Sequence, residues 1–77
     1  MDYTKQIEYY YSGEYATKSP VVLTEENKNQ VEIYDCHENQ PLNISGKSVN
    51  DLAKILAEID ANWREITEEE YNKIINS

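Results

Sequence analysis

The spacing of the apolar residues changes once along this chain, at Gly46, and that change limits the folds open to it more than any other feature. Before Gly46 the apolar residues alternate. Within Lys5 to Tyr11, Ile7, Tyr9 and Tyr11 fall on one side of an extended chain and Gln6, Glu8 and Tyr10 on the other, the period of a strand made from strong strand formers. Ser12-Gly13 separates this run from Glu14-Tyr15-Ala16-Thr17, and an X-Gly pair between two such runs predicts a tight hairpin. Ser19-Pro20 interrupts the ladder, Val21 to Thr24 resumes it, and Glu25 to Asn29 reads as a polar loop. Gln30 to Asp35 then returns with Val31 and Ile33 facing one way and Glu32 and Tyr34 the other. A polar connection over His37 to Gln40 and a short edge strand over Pro41 to Ile44 end this half of the chain.

After Gly46 the spacing is helical. Ser48 is a good N-cap with Asp51 at capping-box distance, and Val49, Leu52, Ala53, Leu56 and Ile59 share one face opposite Asp51, Lys54 and Glu58. This predicts a helix from Ser48 to Asp60 and a turn near Ala61-Asn62. Thr67 to Glu70 forms a second capping box, and Tyr71, Ile74 and Ile75 give the following short helix its apolar side. Trp63 and Ile66, between the helices, are expected to plug them against the sheet. Strands first and helices after, without repeats or βαβ alternation, predict an α+β fold: an antiparallel sheet of three to four strands, followed by an amphipathic helix and a short C-terminal helix packed on one face. Residues 1–77 fit a single small domain. A chain of this length buries only about 60% of the surface it exposes when unfolded, which leaves little interior for an enclosed substrate pocket. Catalysis is therefore not expected.

Fifteen Asp and Glu against seven Lys and Arg give a net charge of −8, and seven Tyr occur with no Phe. An acidic field repels phosphate backbones and draws basic protein surfaces, while Tyr combines a rigid apolar ring with a polar tip suited to interfaces. Direct binding of nucleic acid by base stacking needs a basic groove as well, which this composition argues against. No run approaches the roughly 20 apolar residues of a membrane helix, and MDYTKQIEYYYSGEY lacks the basic start and apolar core of a secretory signal. Cys36, the one cysteine, cannot form an internal disulfide and fits a reducing compartment. A cytosolic protein without a membrane partner is expected, and Asn43-Ile44-Ser45 is then no glycosylation site.

The motifs that could carry chemistry fall short in spacing. In Asp35-Cys36-His37-Glu38 the neighbours point to opposite faces of a strand, and no second Cys or His completes a metal site. Gly46-Lys47-Ser48 matches the end of the phosphate-binding pattern G-x-x-x-x-G-K-[ST], but Pro41 stands where the first Gly is required. The alternating acidic loop of a calcium site is missing as well. No metal, cofactor or catalytic residue is therefore expected. The candidate partner-binding residues are Glu8, Tyr10, Glu32 and Tyr34, read as one exposed sheet face mixing rings and carboxylates, and a second acidic patch of Asp60, Trp63, Glu65, Glu68 and Glu69. Such mixtures suit Arg and Lys through ion pairing and cation–π contact. Glu68 to Glu70 also have a local role, since acids in a first turn favour the positive end of the helix dipole. Tyr9 and Tyr11 are expected to serve the core.

The acidic, Tyr- and Asn-rich chain, with its tail Trp63-Arg64-Glu65-Ile66-Thr67-Glu68-Glu69-Glu70-Tyr71-Asn72-Lys73-Ile74, resembles the small proteins encoded by phages and prophages of AT-rich bacteria. Among these it resembles the anti-CRISPR and DNA-mimic inhibitors. That resemblance, of size, charge and tail style, implies a non-enzymatic protein that occupies the nucleic-acid-binding surface of a basic target. Two other classes fit the same composition: a structural or adaptor module working through protein or homo-oligomer contacts, and an acidic antitoxin or immunity protein.

Overall fold

A computed structural model of the chain describes residues 6–59 and 63–76. The expected end of the first helix at Asp60 and the turn at Ala61-Asn62 lie outside the described residues. Strands β1 (Ile7–Tyr11) and β2 (Tyr15–Pro20) form the first hairpin. Gly13 reverses the chain with φ +93°, a region that favours glycine. Ser12 fastens the turn, donating its N–H to the Tyr15 carbonyl at 2.9 Å and accepting the Tyr15 N–H on Oγ at 3.1 Å. Strand β3 (Glu32–Asp35) pairs with the other side of β2 and is followed by the two-residue β4 (Gln40–Pro41). Helix α1 (Val49–Ile59), β5 (Arg64–Ile66) and helix α2 (Glu68–Ile75) complete the chain. The sheet is antiparallel in the order β4-β3-β2-β1-β5. The α+β class thus holds, with five strands among the described residues in place of three or four.

Val21 to Thr24, expected to resume a strand, does not. Strand β2 instead runs through Pro20 and stops, and β2 itself supplies the partner for β3. The Val21 N–H bonds the Gln6 carbonyl at 2.8 Å, so the nitrogen of Pro20 faces the β3 side, beyond the last paired residues Lys18 and Glu32. Its missing N–H leaves no ladder position empty. The loop after it is organised by Asn27, which is 6% exposed. Asn27 Oδ1 accepts the Thr24 N–H at 2.8 Å, and Nδ2 donates to the Val22 carbonyl at 2.8 Å.

Strand register decides which residues share a face, because directly opposed residues project to the same side. Tyr10, Thr17 and Ile33 stand opposite one another, as do Tyr11, Ala16 and Tyr34. On the first of these faces α1 packs Leu52, Ile55, Leu56 and Ile59 around Val31 and Ile33. On the second, α2 packs Tyr71, Ile74 and Ile75 against Ala16, Ile66, Tyr9, Tyr11 and Tyr34. The two helices therefore cover opposite faces, which corrects the expectation that both lie on one. The centre of β2 is buried on both sides, with Ala16 and Thr17 each 0% exposed.

Both helices begin as the sequence predicts. The Ser48 hydroxyl accepts the Asp51 N–H at 3.1 Å. Thr67 and Glu70 exchange both bonds of a capping box, at 3.1 and 3.3 Å. The segment Arg64–Ile66 is the element that sequence pattern did not show. It is too short for alternation to register, and it becomes a strand only by pairing with β1.

Two substitutions test this account. Asn27→Ala leaves two inward-facing backbone groups of the loop without their partner and is expected to cost about 1–3 kcal/mol in chemical denaturation. Thr17 Oγ1, by contrast, is buried with no hydrogen-bond partner. Thr17→Val keeps the shape, removes that unsatisfied hydroxyl, and should leave stability unchanged or raise it by up to about 1 kcal/mol.

Candidate functional site

The pairing of β5 with β1 assembles the strongest candidate site. Tyr10 lies opposite Glu65, so Glu65 shares the α1 face with Tyr10 and Glu8. Trp63 stands two residues before Glu65 and reaches back over the same face. Its indole stacks on the Tyr10 ring with centroids 4.7 Å apart and planes at 28°. The Tyr10 hydroxyl donates to Glu8 Oε2. Glu8, Tyr10, Trp63 and Glu65 thus form one patch, two rings flanked by two carboxylates. The cations of the neighbouring strands are kept off it. Lys18 lies opposite Tyr9 and Arg64 opposite Tyr11, which sets both on the other face. Arg64 is held there over the Tyr11 ring, 5.8 Å from its centroid, and 3.8 Å from Glu70.

The other predicted residues lie elsewhere. Glu32 and Tyr34 do not share a face with Glu8 and Tyr10, because the register aligns Tyr10 with Ile33. The single mixed sheet face is corrected to two half-faces. Glu32 and Tyr34 belong to the α2 side, where the Tyr71 hydroxyl donates to Glu32 Oε2 at 3.2 Å. Glu68 and Glu69 begin α2 over that same side, and Glu69 lies 3.7 Å from Lys73. They do not join Trp63 and Glu65, and Asp60 lies outside the described residues. The residue that sequence reasoning missed is Tyr71, which the capping box and the Tyr71/Ile74/Ile75 spacing marked only as core. It is 2% exposed, its ring is tilted on Tyr9 at 5.2 Å, and its hydroxyl reaches the carboxylate 39 residues away.

Burial, and next the charge of Asp35, push the Cys36 thiol above its ordinary range, away from a nucleophilic thiolate. No group of three or more His, Cys, Asp and Glu side chains capable of holding a metal occurs among the described residues. Gly46, at φ +77°, leads into the Ser48 cap of α1 beside an antiparallel sheet, not the parallel one of phosphate-binding loops. No helix among the described residues is long and apolar enough to cross a membrane.

Comparison with protein-family models, with curated proteins and with solved structures found no match to this chain.

Two phenols link this region to alkaline stability. Burial first, then the Glu32 carboxylate, raise the Tyr71 phenol well above its ordinary value of about 10. Tyr9 is raised in the same direction by burial, then by Glu68 and Glu32. The native state therefore keeps these protons at a pH where the unfolded chain has released them. Their contribution is intact below about pH 10 and is lost as pH climbs beyond it. Denaturation midpoints should fall between about pH 10 and pH 12, and fall less steeply in Tyr71→Phe than in the parent.

Proposed function

We propose that this chain is a non-enzymatic acidic binding protein that occupies the nucleic-acid-binding surface of a basic, nucleic-acid-handling protein and so inhibits it, in the manner of a DNA mimic. The observation that carries this reading is the sorting of charge at the β1–β5 edge. Glu8 and Glu65 flank the Tyr10–Trp63 stack on one face, while Lys18 and Arg64 project from the other. A net charge of −8 supplies long-range attraction toward a basic surface, and the stacked rings offer Arg and Lys a flat apolar contact between carboxylates. The same reading fits a composition whose net charge of −8 argues against direct binding of nucleic acid. It also gives the phage-type resemblance of the sequence a physical mechanism, acting in the host cytosol.

The test uses the tagged full chain to capture its partner from host lysate. Raising salt from about 0.1 M to about 1 M shortens the screening length from about 10 Å to about 3 Å and should release the partner. Added DNA or RNA should compete with the chain for it. Glu8→Lys with Glu65→Lys should weaken capture while leaving the thermal transition close to that of the parent. Fluorescence of Trp63, the one tryptophan, should respond to the purified partner in the parent chain. Retention that ignores both salt and the double charge reversal would overturn the mimic and favour an adaptor module docking through apolar contacts.

A further inference from the structure

On the α2 side, at the opposite edge of the sheet from Trp63, a groove of about 410 Å³ opens between β3, the segment 41–44 and the C-terminal turns of α2. Its walls are apolar: Ile44, Leu42, Pro41 and Ile75, with the rings of Tyr34 and Tyr71. Leu42 is 37% exposed on its rim. Among the lining residues Glu32 alone carries charge. The Tyr71 hydroxyl, donated to Oε2 from inside the core, anchors that carboxylate against the groove wall. A carboxylate has acceptor capacity beyond one such bond.

We propose that this groove receives an arginine side chain from the protein partner, an inference that rests on the reading of the chain as a ligand for basic surfaces. The chemistry of the walls selects that occupant. An apolar trough ending in one fixed carboxylate complements a long aliphatic stem with a cationic head. The planar guanidinium stacks on tyrosine rings and pairs with a carboxylate through two parallel bonds, which a lysine ammonium cannot do. Lys18 stands opposite Glu32, but on β2. Because β3 separates β2 from β4, Lys18 is set on the side of Glu32 away from β4. Its positive charge opposes an incoming guanidinium, so removing Lys18 should strengthen the site.

The experiment titrates an isotopically labelled full-length chain with a short peptide carrying one arginine. A matched peptide carries citrulline, which keeps the stem and shape and loses the charge. Saturable amide shifts should appear at residues 31–34, 41–44 and 71–75 with the arginine peptide, and the citrulline peptide should bind at least about tenfold more weakly. Glu32→Gln, which retains an acceptor for Tyr71, should lose about tenfold or more, and Lys18→Met should gain about two- to threefold. Equal binding of the two peptides, indifference to Glu32→Gln, or shifts confined to Glu8, Tyr10 and Trp63 would overturn the proposal. A partner still captured through Glu8 and Glu65 while the groove stays silent removes the groove alone. A groove that binds arginine while capture ignores salt removes the mimic reading alone.

Discussion

The position of β2 governs everything else in this molecule. It is the middle strand of five and, among the described residues, the only element whose side chains are fully enclosed on both faces, Ala16 beneath α2 and Thr17 on the α1 side. Because side chains alternate strictly along a strand, a shift of one residue against either neighbour would exchange the two faces. Ile33 would leave Leu52 and point at Tyr71, and Glu32 would be forced under α1. The Ser12–Tyr15 turn and the Asn27 loop hold the two ends of β2, and between them they set the register on which both helices depend.

That register also explains how the charged surface is divided. Acids outnumber bases in the chain as a whole, yet the strands do not distribute them evenly. Lys18 and Arg64 occupy positions that face α2, where Lys18 stands opposite Glu32 in the register and Arg64 meets Glu70 and the Tyr11 ring. The α1 face receives Glu8 and Glu65 and no strand cation among the described residues. The first face therefore carries bases among its acids. On the second, the strands place no cation beside Glu8 and Glu65 among the described residues, and Glu8 is met by the neutral Tyr10 hydroxyl.

Much of the fold was legible from sequence, and the parts that were not share a cause. The caps at Ser48 and Thr67 are local chemistry, so they could be read directly and match to the residue. The alternation inside β1 and β3 was equally plain. What alternation cannot supply is how one strand is set against another when both faces are covered, since then each face carries rings and aliphatic groups and the pattern is degenerate. Tyr10 and Tyr34 looked like members of one face for that reason, and they lie on two. The strand Arg64–Ile66 was hidden for a related one. Its identity is conferred by β1, more than fifty residues earlier, and no window of neighbouring residues contains that information. Since β5 is what brings Glu65 and Trp63 to Tyr10, the sequence marked both residues as candidates but placed them in a separate patch.

The exclusive use of Tyr over Phe takes on meaning in this geometry. On each face a tyrosine hydroxyl is donated to a glutamate that faces outward: Tyr10 to Glu8 on the α1 side, Tyr71 to Glu32 on the α2 side. A phenylalanine would fill the same apolar space and leave both carboxylates on unrestrained side chains. Freezing such a side chain on binding costs roughly 0.5–1.5 kcal/mol, and a ring already fixed by packing against Tyr9 or Trp63 can bear that ordering cost at the folding stage instead. Each carboxylate is thereby kept in a defined place on its own face of the sheet. By this argument the hydroxyls of Tyr10 and Tyr71 restrain the two carboxylates and their rings serve the fold.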